Sequence, residues 1–261
     1  MTTAIAVVNH KGGVGKTTCS AYIGYILSSL GKKVLLIDCD PQGNLTRDIG
    51  IEPKEYEGEK TLANAIRNKL DRRAAGKASA DFVQTTDYPN IDILIGNQDL
   101  KAIRTDITEA LMRGVRVYKR IISDLLQNND YDIVILDLLP GLGPENTQVL
   151  LAADYILIPT SADRNSVEGM DDLLAFYEDC KDSNENLDIL GILVNNVDAK
   201  DSVSIQVINL LKATYGDYLF NTIVEHSKVA EKIPWTGIKP SKNKSYIAFE
   251  AVTKEILKRI G

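Results

Sequence analysis

Cysteine is scarce. Only three occur in 261 residues, Cys19, Cys39 and Cys180, and no two of them form a C-x-x-C pair, so no disulfide framework is written into the chain. A reducing, cytoplasmic setting is the expectation. Nor does any stretch approach the roughly 18 uncharged apolar residues that a spanning helix needs. The N-terminus carries no basic segment leading into an apolar run, because Lys11 and the neighbouring glycines interrupt it, so no export signal is expected. Internal repeats and low-complexity tracts are absent too. The net charge of −6 is too acidic for bulk attraction to nucleic acid. It is unevenly spread, however: residues 200–261 hold 10 Lys and Arg against 6 Asp and Glu, which leaves local basic patches open. With 44% hydrophobic and 25% charged residues, the composition excludes a disordered chain or a fibre.

What the chain does have is a recurrence of short β-branched runs: AIAVVN (4–9), KVLLID (33–38), IDILIG (91–96), DIVILD (132–137), YILIPT (155–160) and LDILGILVNN (187–196). Runs this continuously apolar suit strands covered on both faces, and the spacers are long enough for crossover helices. The expected fold is α/β, a mostly parallel twisted sheet with helices on both faces, spanning residues 1–261 as one domain. Helices are expected over 16–30, 102–128, 145–152, 165–181, 201–214 and 243–260, with Gly31 closing the first. The polar, turn-rich region 51–90, around a short helical piece near 61–70, reads as a surface excursion.

Between the first expected strand and the first helix lies VNHKGGVGKTTCS. Glycines between a strand and a helix let the backbone wrap a phosphate chain, and the free N–H groups at the helix start add positive potential. Gly12, Gly13, Val14, Gly15, Lys16, Thr17 and Thr18 are therefore the expected ATP-binding loop, with Lys16 on the β/γ-phosphates and Thr17 on Mg²⁺. His10 stands where such a loop normally has its first glycine, beside an additional lysine, Lys11. A second cation near the γ-phosphate would stabilise charge moving onto the leaving group. Further on, VLLIDCDPQGN puts Asp38 and Asp40 at a strand's carboxyl end, the edge where ligands bind in open α/β sheets and where Mg²⁺ and an attacking water would be held. DIVILDLLPGLG ends a hydrophobic strand in Asp137, a further Mg²⁺ carboxylate, with Gly141 and Gly143 as hinges of the following loop.

KGGVGKTT resembles the deviant Walker A motif of the P-loop family that includes ParA/Soj and MinD ATPases and the nitrogenase iron protein. In that family Lys11 corresponds to the signature lysine, which reaches across a dimer to the partner's ATP, so the missing glycine is a family mark. DxDPQGN looks like the ParA/Soj version of Walker A′, whose second aspartate, here Asp40, is the hydrolytic one. The usual D-x-P-P-x-x-G is altered: Leu139 stands in place of the first proline and only Pro140 is kept. PTSADRNSVEGMDDLL, VAEKIPWTGIKP and SYIAFEAVTKEIL also resemble ParA/Soj segments, and the P-loop near residue 10 matches the short type without N-terminal DNA-binding helices. The three cysteines do not match a bridged iron–sulfur cluster.

The resemblance implies a slow ATPase using ATP and Mg²⁺ and catalytic residues Lys11, Lys16 and Asp40. It also implies an ATP-dependent homodimer, non-specific DNA binding on the nucleoid, and a ParB-like centromere-binding partner that stimulates hydrolysis. Asn195, after the last core strand, is the expected adenine contact. Two basic clusters are candidates for DNA: Arg113, Arg116 and Arg120 on one face of the expected 102–128 helix, and Lys239, Lys242 and Lys244 in a loop before the last helix. The alternative is a MinD-like membrane-associated or cargo-positioning ATPase. Its anchor would be the C-terminal stripe of Ile247, Val252, Ile256, Leu257 and Ile260 beside Lys254, Lys258 and Arg259. Such a stripe more often packs on its own core. A metabolic kinase or synthetase would need a substrate pocket that the sequence does not display.

Overall fold

The expected apolar runs are strands: β1 (Thr3–Val7), β2 (Val34–Asp38), β4 (Ile91–Leu94), β5 (Ile133–Asp137), β6 (Tyr155–Thr160) and β7 (Asp188–Val194). A two-residue strand that the apolar pattern did not announce, β3 (Gln84–Thr85), precedes β4. These come from a computed structural model that describes residues 2–56, 60–71, 77–128, 130–198 and 200–261. The strands form one sheet in the order β3-β4-β2-β5-β1-β6-β7, parallel throughout except for β3 at the edge.

Alternation along each strand divides two cores. Ala4, Ala6, Leu35, Ile37, Val134 and Leu136 face one of them, while Ile5, Val7, Val34, Leu36, Ile133 and Ile135 face the other. The second core is covered by α1 (Lys16–Ser29), α2 (Asn44–Asp48), α10 (Ile233–Thr236) and α11 (Lys244–Ile260). The first is covered by α3 (Leu62–Leu70), α4 (Asp99–Ala102), α5 (Arg104–Met112), α6 (Val117–Asn128), α7 (Pro144–Leu150), α8 (Arg164–Lys181) and α9 (Ser202–Tyr215).

Three expectations are corrected. The 102–128 helix is broken: α5 ends at Met112, Gly114 takes a φ of +68°, and α6 begins at Val117. Arg113, Arg116 and Arg120 therefore do not share one helical face; only Arg120 lies within α6. Lys244 is the first residue of α11 rather than a loop residue. The excursion at 51–90 is not wholly superficial, because α3 sends Leu62, Ala63 and Ile66 into the core. Residues 57–59 and 72–76 of it lie outside the described residues.

The C-terminal stripe packs on the chain itself. Phe249, Val252 and Ile256 are buried, the Phe249 ring stacks on Tyr22 of α1 at 4.6 Å between centroids, and of the five apolar positions only Ile247 is exposed. Among the described residues no helix is long and apolar enough to cross a membrane.

Candidate functional site

Strand register assembles the site. In the ladder, Asp38 pairs with Asp137 and Asp137 pairs with Val7, so two carboxylates and the start of the glycine loop meet at the carboxyl edge of the sheet. The chain runs from β1 to β2 on one side and later adds β6 and β7 on the other, so this is also where the strand order reverses. Gly15 caps α1 with φ +86° and ψ 30°, and no side chain caps the helix start. Its first N–H groups are thus available to an anion. Gly15 must be glycine twice over, for its left-handed backbone and because the Asn195 amide sits where a Cβ would be.

Lys16 is buried, and its Nζ donates to the carbonyls of Asn9 (3.1 Å) and Lys11 (3.0 Å). Burial lowers its pKa, while Asp137 and Asp40 favour the charged form. The Thr17 and Ser20 hydroxyls, one helical turn apart, both donate to Asp137 at 2.8 Å. Burial and then the Asp38 charge push the Asp137 carboxyl up to about 8, against the hydrogen bonds from Thr17 and Ser20 and the charge of Lys16. A fully buried carboxylate lined by hydroxyls is an oxygen donor set that fits a hard divalent cation, which would favour its ionised form. Among the described residues no group of three His, Cys, Asp or Glu is placed to hold a metal ion, so such a cation would depend on hydroxyl and phosphate oxygens as well.

The two aspartates of β2 and its loop differ in kind. Asp38 is buried and accepts from the N–H and hydroxyl of Thr46 (2.9 and 2.7 Å) and from the Asp40 N–H (3.2 Å). Burial raises it to about 6 despite those bonds. It shapes the loop. Asp40 is only partly buried and accepts the Gln42 N–H at 2.8 Å, which leaves carboxylate oxygen available to water. Asp40 and Leu139 help line a cavity of about 480 Å³, floored by Cys39 and Tyr118, with Glu145 of the Arg104–Glu145 ion pair at its wall. The loop after β5 is held although it lacks the first proline: Asn146 Nδ2 donates to the carbonyls of Leu139 (3.0 Å) and Gly141 (2.7 Å).

Asn195 does not simply point at a ligand. Its Nδ2 donates to the Val14 carbonyl at 2.9 Å and so braces the loop. With Gly13, Gly15, Thr18, His226 and Ser245 it lines a cavity of about 250 Å³, and the Ser245 hydroxyl oxygen is buried without a hydrogen-bond partner. Lys11 forms a bidentate ion pair with Asp163, both oxygens at 2.7 Å, within its own chain. Burial works to raise the Asp163 pKa, but hydrogen bonds from Lys11 and Ser161 outweigh it and hold the carboxyl at about 2.

His10 explains its own position. Its ring lies against Gly169 of α8, where any Cβ would collide with it. The residue that replaces the loop's first glycine thus anchors the loop to a helix, and Asn9 adds a second tie through its Nδ2 to the Pro159 carbonyl at 2.8 Å. Helix propensity alone favours Ala over Gly by about 1 kcal/mol. We nevertheless expect Gly169→Ala to destabilise the chain by about 1 kcal/mol, and His10→Ala to remove that cost in the double variant. Urea melts of the four proteins decide it; a stabilising Gly169→Ala in the His10 background would disprove the contact.

The basic clusters are partly engaged. Arg113 pairs with Glu109 (3.8 Å), Lys244 pairs with Glu225 (2.9 Å), and Arg116 donates to the Ser183 carbonyl (2.5 Å). Lys239 and Lys242 are exposed. Sequence reading missed a groove lined by Lys69, Arg116, Lys119 and Arg120, because Lys69 comes from α3, far away in the chain. It also missed Ser20, although spacing from Thr17 on one helix face could have shown it, and Asp163, for which no local signal exists.

The AAA domain family model matches residues 2–189. The sporulation initiation inhibitor protein Soj of Bacillus subtilis is 32% identical over 234 residues, covering 89% of this chain and 88% of Soj. Cobyrinic acid a,c-diamide synthase from Mycobacterium smegmatis, solved with a bound ATP analogue and magnesium, superposes with a TM-score of 0.81 at 27% identity, covering 99% of this chain and 95% of that one. The septum site-determining protein MinD of Pyrococcus horikoshii, solved with Mg-ADP, shares the fold with a TM-score of 0.78 at 22% identity, covering 100% of this chain and 98% of that one.

Proposed function

The chain belongs to the ParA/Soj family of deviant Walker A ATPases, and from that premise we propose that it partitions DNA by opening and closing a homodimer around ATP. It is an ATPase that uses ATP and Mg²⁺, and its partition role entails self-association and a partner protein. The observation that carries the finer reading is the single loop with two lysines, Lys11 and Lys16, set against Asp40 and Asp137 at one sheet edge, in a chain 32% identical to Soj.

Lys16 and the α1 N–H groups bind the phosphate chain, and Thr17, Asp40 and Asp137 are the residues that would hold Mg²⁺, which supplies charge neutralisation on the phosphates. Asp40 orients the attacking water, its partial exposure leaving room for one. Lys11 crosses to the facing subunit's nucleotide and stabilises the leaving charge. The nucleobase occupies the cavity bounded by Thr18, Asn195 and Ser245. The partner is a ParB-like protein on centromere DNA, and the dimer rides on nucleoid DNA without reading sequence.

Phosphate contacts come from the groove of Arg116, Lys119 and Arg120, where Lys69 is already paired with Asp124, and from the loop with Lys239 and Lys242. Pairing two subunits doubles those contacts, and each added contact steepens the log–log salt slope by about 0.9. Fluorescence anisotropy with two unrelated duplexes, over a salt series in ATP or ADP, tests the reading. ATP-dependent binding, equal for both duplexes and weakened alike by Arg120→Glu or Lys242→Glu, is expected. Equal affinity in both nucleotide states, or none, moves the function to the membrane or cargo-positioning alternative, which lipid flotation then examines.

A further inference from the structure

We infer that Asn146 is a positioning residue for ATP hydrolysis, its side-chain amide fixing the loop after Asp137 in place of the proline that Leu139 replaces. The inference rests on the reading of this sheet edge as the place where the γ-phosphate is hydrolysed.

Asn146 stands on a rigid support. It lies in the first turn of α7, whose Val149 and Leu150 are buried in the core. Two residues further on, the Gln148 side chain closes the α5–α6 turn, accepting the Val117 N–H (3.1 Å) and donating to the Val115 carbonyl (2.7 Å). Glu145 adds the ion pair to Arg104 of α5. From this support the two Nδ2 hydrogens of Asn146 reach back to the carbonyls of Leu139 and Gly141, seven and five residues earlier. The loop has little else to hold it: Gly141 takes a φ of +118°, Pro140 is exposed, and among the described residues no group accepts the Leu139 N–H. A proline at 139 would restrict φ there and the backbone of Leu138 before it, and a leucine restricts neither.

The amide is kept at a cost to the core. Asn146 is 1% exposed, and its Oδ1 is buried without a hydrogen-bond partner. Turning the amide over would set Oδ1 against two carbonyl oxygens, so its orientation is fixed by the loop it holds. An orphaned buried acceptor costs about 1–3 kcal/mol. Such groups are rare in a core and concentrate where geometry serves chemistry. Leu139 and Gly141 are themselves partly exposed, so their carbonyls reach water if the amide is removed. Folding therefore has no need of this asparagine, whereas a single loop geometry beside Asp137 does.

Phosphate release from radiolabelled ATP, measured over a range of ATP concentrations, compares Asn146→Ala with wild type, and Leu139→Pro with the double variant. We expect Asn146→Ala to lower kcat about 10- to 100-fold, the scale of a misplaced catalytic geometry. KM, ADP affinity and melting temperature should be unchanged, because the P-loop is untouched and the orphaned acceptor leaves with the amide. Asn146→Asp, which sets oxygen where the donor was, should lose as much. In the Leu139→Pro background, where proline already restricts the loop, Asn146→Ala should leave the rate of Leu139→Pro alone. An unchanged kcat in Asn146→Ala, an equal fall in both backgrounds, or a fall that comes with a lower melting temperature overturns the inference. Lys16→Ala run alongside separates the failures: if it hydrolyses ATP as wild type does, the reading of this edge is wrong, and if it is inactive while Asn146→Ala matches wild type, only the positioning role of Asn146 falls.

Discussion

Lys16→Ala is expected to lower ATP affinity by at least 100-fold while leaving the sheet folded. The ammonium has no second role in the core: its two acceptors, the carbonyls of Asn9 and Lys11, belong to the same loop. Those two bonds fold the lysine across the loop that would receive phosphate, so binding exchanges two carbonyl oxygens for phosphate oxygens without moving a strand. Charge-assisted hydrogen bonds are worth about 1.5–3 kcal/mol each, and two of them lost to the β/γ-phosphates give roughly 3–6 kcal/mol, or 100-fold and more in affinity. Alanine also removes the positive charge that favours the ionised form of Asp137, leaving Asp137 harder to ionise and less able to hold Mg²⁺. Equilibrium titration with a fluorescent ATP analogue reads the effect, and unchanged affinity would take Lys16 out of the site.

The legible parts of this molecule were those in which one segment carries the whole signal. Six strands were readable because burial on both faces demands unbroken apolar runs, and the phosphate loop because strand, glycines and helix are contiguous. β3 escaped because two edge residues, Gln84 and Thr85, need no apolar side chain to pair with β4. The expected 102–128 helix is too long because its apolar positions recur on both sides of Gly114, whose positive φ ends a helix where periodicity alone would continue it. At the site, the difference between Asp38 and Asp40 could not be read from D-x-D, since it depends on Thr46 folding back over one carboxylate and not the other. The Lys11–Asp163 pair spans 152 positions, and the His10–Gly169 contact is still more remote in the chain, so neither leaves a local pattern. Leu139 was a departure from the proline pattern whose consequence only the structure gives: Asn146 ties the loop by its carbonyls, which any residue supplies.

Asp40→Ala is expected to stop turnover, by 100-fold or more, and to accumulate the ATP-bound dimer rather than prevent it. The three carboxylates at this edge are engaged differently. Asp137 receives the Thr17 and Ser20 hydroxyls of α1, and Asp38 receives Thr46, so both are structural anchors of the nucleotide edge. Asp40 anchors only the Gln42 N–H two residues ahead, a turn contact whose loss leaves the P-loop and its lysines untouched. Phosphate binding therefore survives, and what disappears is the oxygen that orients water and accepts its proton, a contribution of about 10²–10⁴ in rate. Asp40→Asn should lie close to alanine, because an amide keeps the turn contact but is a far weaker base. Steady-state phosphate release, measured with and without the stimulating partner, gives the rate, and sedimentation with ATP gives the dimer. The wild-type chain should show a slow basal rate and a transient dimer, and the variant a persistent dimer with no stimulation. Wild-type turnover in Asp40→Ala would return the hydrolytic role to another group at this edge, and loss of the dimer would show that Asp40 holds Mg²⁺ or the interface more than it holds water.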